Sequence, residues 1–404
     1  MPKLLQINIT ANWGSHGRIA EEIGQLAMHN GWESYIAYGR WANPSKSHLI
    51  KIGSMWDERW HGVQSRLLDN HGLASKRATK QLISAIKEIK PDLIHLHNIH
   101  GYYLNYPLLF DYLSHAEIPV VWTLHDCWSM TGHCAYFTYA KCEKWKTGCS
   151  NCESLGSYPI SYLIDNSRNN YAIKRIFFNS IGNMTLVPVS DWLSGIVSQS
   201  LLKKNTVKVI HNGVNIEIFK PLDAGTQPNV LMNGKKIVLG VSSKWEKRKG
   251  LEDFIKLRNL LSNDYQIVII GLSEGQKKKM PDGVDGICRT DNIEELVRYY
   301  SSADVFINPT YEDNFPTTNI EALACGTPVV TYRTGGSPEA IDNQTGIVVE
   351  VGDINGLVDG IKKICQSDHK EDTRRLCRER AVKYFNKDDR YREYLDLYQS
   401  LLKK

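Results

Sequence analysis

The sequence holds no run of 18 or more apolar residues, so it offers no helix of ordinary length to span a bilayer. Its opening, MPKLLQINIT, lacks the apolar core of a secretory leader and reads as a strand instead. Together these absences predict a cytoplasmic protein. No G-x-G-x-x-G fingerprint lies between the first strand and the first helix, which disfavours a nicotinamide dinucleotide. No short repeat or low-complexity segment interrupts the chain. Charge of one sign is also scarce. A net charge of +5 over 404 residues argues against a dedicated nucleic-acid binder, which concentrates far more positive charge. A mildly basic surface could still approach anionic lipid, so peripheral association at the inner face of a membrane is compatible with it.

What is present is ordinary globular material. Apolar residues make up 42% and charged residues 23%, a balance that can bury a core rather than stay disordered. The length exceeds what one core serves, so two domains are expected. Strand-like runs alternate with helical ones: KLLQINIT, then GRIAEEIGQLAMHNG with Gly31 as its stop, then ESYIAYG. Residues 41–75 read as an irregular insertion. After the amphipathic ATKQLISAIKEIK come DLIHLH, IPVVWTLH, MTLVPVS and NTVKVIHN, apolar strands of the buried parallel kind. The connector HNGVNIEIFKPLDAGTQPNVLMNGK is rich in Gly, Pro and Asn. Beyond it the alternation restarts with KIVLGVSS, YQIVIIG, DVFINPT, TPVVTY and GIVVEVGD, and a charged helical tail begins near Thr373. The expected fold is α/β, with two doubly wound domains over residues 1–210 and 211–404. The first carries insertions at about 41–75 and 127–158, and the last helix, about 388–404, could pack back on it. Ligands of such sheets lie at the carboxyl ends of the strands, so the cleft between two such domains is the expected site.

Three loops carry the chemistry. In EDNFPTTNIEALACGTPVV, Pro316 fits the first turn of a helix, where its missing N–H costs nothing. The free amides that follow, the helix dipole and the hydroxyls of Thr317 and Thr318 suit a phosphate, although an ordinary polar helix start reads the same way. SSKWEKRKG sets Lys244 and Lys249 five residues apart, with Arg248 beside them, at a strand's carboxyl end where a diphosphate could be neutralised. A solvated charged face is the alternative. NWGSHGRIAEE puts Gly14 and Gly17 where a phosphate or sugar could approach the backbone.

These residues carry a resemblance to family 4 of the retaining glycosyltransferases of GT-B fold. HNGVNIEIFKP resembles the family's NGVD…F-x-P signature, SSKWEKRKG its Arg/Lys-x4-Lys clamp, and DNFPTTNIEALACGTPVV its E-x7-E motif. The segment VWTLHDCWSMTGHCAYF…CEKWKTGCSNC is similar to the branch that includes enzymes of colanic acid and capsule assembly. The resemblance implies a nucleotide-diphosphate sugar as donor and a saccharide or lipid-linked saccharide as acceptor, in surface polysaccharide biosynthesis. It implies that Lys244 and Lys249 hold the diphosphate, with Gly17 beneath it. Phe315, Thr317 and Thr318 would line the donor site. Asp313 would lie near the donor sugar, Glu321 would bind the ribose, and His125 of TLHD would reach the reacting sugar. Asp313 is shorter than the family's glutamate, and Glu312 is its alternative. Lys244 stands for the commoner arginine and cannot form a bidentate fork. No catalytic metal is implied, and the sequence has no Asp-x-Asp pair at a strand end to hold one. Two other readings remain: a GT-B-like sugar epimerase or phosphorylase, and a non-catalytic carbohydrate-binding or redox module.

His95, His97 and His100 invite a metal, against the plainer reading of core or cleft histidines. Nine cysteines in a cytoplasmic chain are expected as free thiols or metal ligands. Cys134, Cys142, Cys149 and Cys152 fall within 19 residues of a turn-rich segment and could hold a structural Zn²⁺, with Cys127 and His133 as substitutes. Buried thiols or a redox-active Cys149–Cys152 pair are the alternatives.

Overall fold

The structure is a computed structural model that describes residues 1–222 and 234–403. Part of the expected connector, residues 223–233, lies outside the described residues. The chain forms two compact units, Met1–Ile210 with Tyr391–Lys404, and His211–Arg390.

The first unit is built on β1 (Lys3–Asn8), β2 (Glu33–Tyr38), β3 (His48–Lys51), β4 (Leu93–Leu96), β5 (Val120–Leu124), β6 (Met184–Pro188) and β7 (Thr206–Val207). They form one parallel sheet in the order β3-β2-β1-β4-β5-β6-β7. Residues of β4, β5 and β6 are buried throughout, which explains their unbroken apolar runs. The crossovers are α1 (Gly14–His29), α2 (Met55–Leu68), α3 (Lys76–Ile89), α4 (Tyr106–His115), α5 (Ser167–Phe177) and α6 (Asp191–Val197). In α1, Ile19, Ala20, Ile23 and Ala27 recur at helical spacing and are buried. One core is aromatic: Phe178 stands 4.8 Å, centroid to centroid, from both Phe110 and Trp122. Burying such a side chain contributes about 1.5–3 kcal/mol.

The second unit holds β8 (Lys236–Val241), β9 (Tyr265–Ile270), β10 (Val284–Ile287), β11 (Val305–Asn308), β12 (Val329–Tyr332) and β13 (Gly346–Val349), parallel in the order β10-β9-β8-β11-β12-β13. Its helices are α7 (Leu251–Leu260), α8 (Glu274–Lys277), α9 (Ile293–Ser302), α10 (Thr317–Ala324), α11 (Ile354–Cys365) and α12 (Lys370–Phe385). The last helix, α13 (Lys387–Leu402), starts in the second unit and ends in the first. There Tyr391, Tyr394, Leu395 and Tyr398 join Leu4, Ile23, Trp32 and Val187 in one cluster.

Several sequence expectations need correction. Residues 41–75 are not irregular, because they contain β3 and α2. Serine capping chemistry was the missed signal: Ser54 accepts from the Asp57 amide at 3.3 Å, and Asp57 accepts from the Ser54 amide at 2.8 Å. NTVKVIHN supplies only the two residues of β7. VDGI, too polar to read as a strand, forms β10. The tail helix begins at Lys370 rather than Thr373.

Candidate active site

In the second unit the loops after β8 and β11 meet. Lys249 donates to the Asp313 carboxylate, which also accepts from the Asn314 amide at 3.0 Å. Arg248 donates to the Glu312 carbonyl at 3.0 Å. Glycine fixes this junction twice. A Cβ on Gly250, at φ +76°, would stand 2.1 Å from the Pro309 carbonyl oxygen, and one on Gly335, at φ +52°, would stand 1.7 Å from that of Asp313. Lys244 does not join Lys249 at the aspartate. Its ammonium pairs with Glu246 at 2.8 Å, and its side chain is 78% exposed.

Helix α10 begins one residue later than expected. Pro316 is its N-cap, in extended geometry and with no side-chain cap. The first-turn amides of Thr317 and Thr318 therefore lack a side-chain acceptor and bring the positive end of the dipole beside Lys249 and Asp313. Asn319 anchors the turn. It accepts from Asn308 at 2.8 Å and donates to Ser337 Oγ at 2.9 Å. One turn on, Glu321 accepts from the Tyr300 hydroxyl at 3.0 Å. Phe315 is buried against His211 and Phe385, with centroids at 5.1 and 5.7 Å, so only its backbone can serve a ligand.

In the first unit His125 follows β5 directly and heads a chain of imidazoles. Its Nε2 lies 3.3 Å from His97 Nδ1, and His97 Nε2 lies 3.0 Å from Gln6 Oε1. Gln6 Nε2 donates to the Ala20 carbonyl at 2.6 Å, so Gln6 Oε1 is the acceptor. His97 consequently carries its proton on Nε2 and accepts at Nδ1, and His125 donates from Nε2. The nitrogen left for other work on His125 is Nδ1. Burial, with His97 and His16 beside it, holds His125 well below the ordinary imidazole range, so it is neutral. His16 is held down to about 4, first by burial and then by His100. It lies 5.9 Å from His125, ring to ring, and 3.2 Å from the Asn8 amide. His16 was not singled out from sequence, although it stands between two glycines in GSHGR, in the first turn of α1.

Gly17 lies within the first turns of α1, where a Cβ would stand 2.5 Å from Thr10 Oγ1. Packing against Thr10 is thus sufficient reason for a glycine there. The three other histidines do not gather around a metal. His95 contacts Thr123 at 2.8 Å and Tyr398 at 2.6 Å. His100 contacts Asp126 at 2.9 Å and Tyr158 at 3.0 Å, and His97 is engaged as above.

Two family models cover this chain. The model described as Glycosyltransferase Family 4 matches residues 17–218, half of the sequence, and Glycosyl transferases group 1 matches residues 235–367. The chain belongs to glycosyltransferase family 4. Among curated relatives, the candidate colanic acid biosynthesis glycosyl transferase WcaC of Escherichia coli is 24% identical, over 98% of this chain and all of WcaC. The capsular polysaccharide biosynthesis glycosyltransferase CapM of Staphylococcus aureus is 25% identical over 54% of this chain and 62% of its own. Among solved structures, sucrose-phosphate synthase of Thermosynechococcus elongatus superposes with a TM-score of 0.75 at 17% identity, covering 99% of both chains. HepE of Anabaena in complex with UDP gives 0.67 at 13% identity, covering 99% of this chain and all of HepE. These likenesses carry the GT-B fold. Both family models describe glycosyltransferases, which leaves the epimerase, phosphorylase and non-catalytic readings without support.

The glycosyltransferase also carries the cysteine insertion. Cys134, Cys142, Cys149 and Cys152 line one small cavity together with His133 and Trp145. The Cys134–Cys152 hydrogen bond pushes the Cys134 thiol up and draws that of Cys152 down. Burial raises Cys149 to about 11, so it is a thiol and not a reactive thiolate. His133 Nδ1 sits 2.6 Å from Asp69, while its Nε2 is buried with no partner among the described residues. Among the described residues, no three of these ligand atoms lie within 4.8 Å of one another. The expected four-thiolate tetrahedron is therefore not closed.

Proposed function

We propose that this glycosyltransferase transfers a sugar from a nucleotide diphosphate to a saccharide or lipid-linked saccharide, with retention at the anomeric carbon, in surface polysaccharide biosynthesis. The observation that carries this reading is the junction of Lys249, Asp313 and the uncapped start of α10. The departing diphosphate gathers charge as the anomeric C–O bond breaks, and a lysine with preorganised amides stabilises that charge as it forms. The acceptor oxygen bonds to the anomeric carbon on the same face, and its proton passes to the leaving phosphate. No protein nucleophile is needed. Asp313 and His125 are assigned to the sugar, Glu321 to the ribose, and Lys244, Lys249, Thr317 and Thr318 to the phosphates. Gly17 is assigned to close backbone approach. The relatives named for colanic acid and capsule biosynthesis support the pathway class, and the HepE complex with UDP supports a nucleotide in a fold of this kind. We also infer peripheral association with a membrane, where lipid-linked acceptors reside.

A thermal-shift screen with UDP-, GDP-, ADP- and dTDP-sugars tests the donor assignment, because a ligand of the folded state raises apparent stability. At least one sugar nucleotide should raise the melting temperature, and this rise should disappear in Lys249→Ala. No shift with any of them would overturn the reading.

The cysteine insertion is proposed to take one structural zinc ion on Cys134, Cys142, Cys149 and Cys152. The shared cavity and the unpartnered Nε2 of His133, backed by Asp69, support it. Closing the site requires rotation of the sulfur side chains, and His133 is the substitute ligand nearest at hand. Elemental analysis should find about one zinc per chain. All four thiols titrating freely in zinc-free protein would eliminate the site.

A further inference from the structure

Helix α2 is built inside out. Trp56, Trp60, Val63 and Leu67 follow one another at spacings of four, three and four, which places them on a single stripe. An apolar stripe normally faces the core. Here the buried side is His61, Gly62 and Ser65, while Trp56 is 70% exposed, Trp60 63%, Val63 43% and Leu67 40%. His61 holds the helix down through polar contacts, accepting from the Gly72 amide at 3.0 Å and meeting Ser75 Oγ at 2.8 Å. A second segment extends the patch. The Tyr162 amide donates to the Arg66 carbonyl at 2.7 Å, which sets exposed Tyr162 and Leu163 beside the carboxyl end of the stripe. Two separate stretches of chain thus present large apolar side chains together, beyond the scattered exposure found on ordinary surfaces.

We propose that this face of α2 is the surface by which the protein docks on an anionic lipid bilayer, with α2 lying in the interface plane. The inference deepens the peripheral association proposed above and rests on it. Three observations select lipid as the occupant. The stripe combines tryptophan with aliphatic residues, the mixture favoured where a surface is apolar on one side and wet on the other. The acidic groups of the helix are engaged within the protein: Asp57 in the N-cap, and Glu58 with Lys51 at 2.8 Å and Arg40 at 3.5 Å. The basic groups Arg59 and Arg66 flank the stripe, with the Arg59 guanidinium 5.2 Å from the centre of the Trp56 ring. Lys76, Arg77 and Lys80 add positive charge on the start of α3, which is joined to α2 through His61 and Ser75. Apolar residues rimmed by arginine and lysine match an acyl boundary beneath anionic headgroups.

Flotation of the full-length protein with vesicles of phosphatidylglycerol and phosphatidylethanolamine tests the proposal, with pure phosphatidylcholine as the neutral control. The parent protein should float with the anionic vesicles and less with the neutral ones, and added salt should weaken the effect. The double variant Trp56→Ala/Trp60→Ala, and independently Val63→Ser/Leu67→Ser, should each lower the partition coefficient at least tenfold. Arg59→Ala/Arg66→Ala should lower it on anionic vesicles only. Unchanged melting temperature and unchanged nucleotide-sugar thermal shift would certify that fold and donor site are intact. Parent protein that binds no vesicle overturns the peripheral association itself. Parent protein that binds, with stripe variants that bind equally, overturns the role of α2 alone. A dimer in lipid-free buffer that either stripe variant converts to monomer would make the face a protein interface and likewise overturn the proposal.

Discussion

Two sheets of the same parallel kind are finished in opposite ways. Eleven of the thirteen histidines belong to the first unit, and those at its strand ends are buried and linked to one another or to Gln6, Thr123, Asp126 and Tyr398. The second unit finishes its strands with lysine, arginine and carboxylates at partly exposed positions. A desolvated, neutral imidazole array offers directional donors and acceptors without net charge, as sugar hydroxyls require. A cluster of cations beside an uncapped helix start suits an anion. The chemistry of each unit is thus set by what its loops do with burial, since the sheets beneath are alike.

The largest effect expected from this contrast is on acid stability. Burial holds His61, His71, His95, His97 and His125 below the ordinary histidine value of 6.5, as it does His16, to about 4. Between 6.5 and those lowered values the unfolded chain binds more protons than the folded one. Stability therefore falls as pH drops through 6.5, by up to about 1.4 kcal/mol per pH unit for each such histidine. Nine of the ten tryptophans lie in the first unit, so their fluorescence reports on it. The urea midpoint followed by tryptophan emission should fall steeply between about pH 7 and 5. An unchanged midpoint would break the comparison.

The next effect concerns the charged unit. Lys249→Ala removes the partner of Asp313 and the proposed phosphate contact, and should reduce kcat/KM by about 1.5–3 kcal/mol, roughly 10- to 150-fold. Lys244→Ala should cost less, because that ammonium is exposed and pairs with Glu246 in the same loop. Steady-state kinetics giving the reverse order would reassign the clamp.

Smaller effects should separate the two carboxylates. Asp313→Ala should lower kcat, whereas Glu321→Ala should raise the donor KM with kcat held, since a ribose contact is made in ground and transition states alike. Tyr300→Phe removes the hydroxyl that orients Glu321 and should raise the same KM about two- to tenfold, the worth of one neutral hydrogen bond at about 0.5–1.5 kcal/mol. A kcat effect from Tyr300→Phe would detach it from the ribose role.

Much of this architecture was legible in the residues. Unbroken apolar runs such as VVWTL, MTLVP and YQIVII predicted buried parallel strands because nothing else accommodates them. The Lys249 and Asp313 loops were legible as polar segments placed directly after strands, and the structure brings them together. What escaped was information held in pairs of residues distant in sequence. His16 and the partnership of His125 with His97 and Gln6 depend on β1, β4 and β5 lying side by side, and spacing does not encode that. Helix α2 escaped because its apolar stripe faces outward and its buried side is polar. The assumption that apolar residues mark the core fails there, and the insertion looked irregular.

The return of the last helix has a consequence for how the protein comes into being. Tyr391, Tyr394 and Tyr398 complete the core over Leu4, Ile23 and Trp32, and the Tyr398 hydroxyl contacts His95 at 2.6 Å. The first unit to leave the ribosome is therefore finished by residues made only after the whole of the second unit. At about 5–20 residues per second, synthesis of His211–Arg390 keeps it waiting on the order of 10–40 s with an apolar seam uncovered. During that interval the second unit can fold alone, whereas the first depends on chaperones or on its own partial stability. Residues Tyr391–Leu402 act as the closing stitch, so a chain cut before Tyr391 would leave the core over Leu4, Ile23 and Trp32 uncovered.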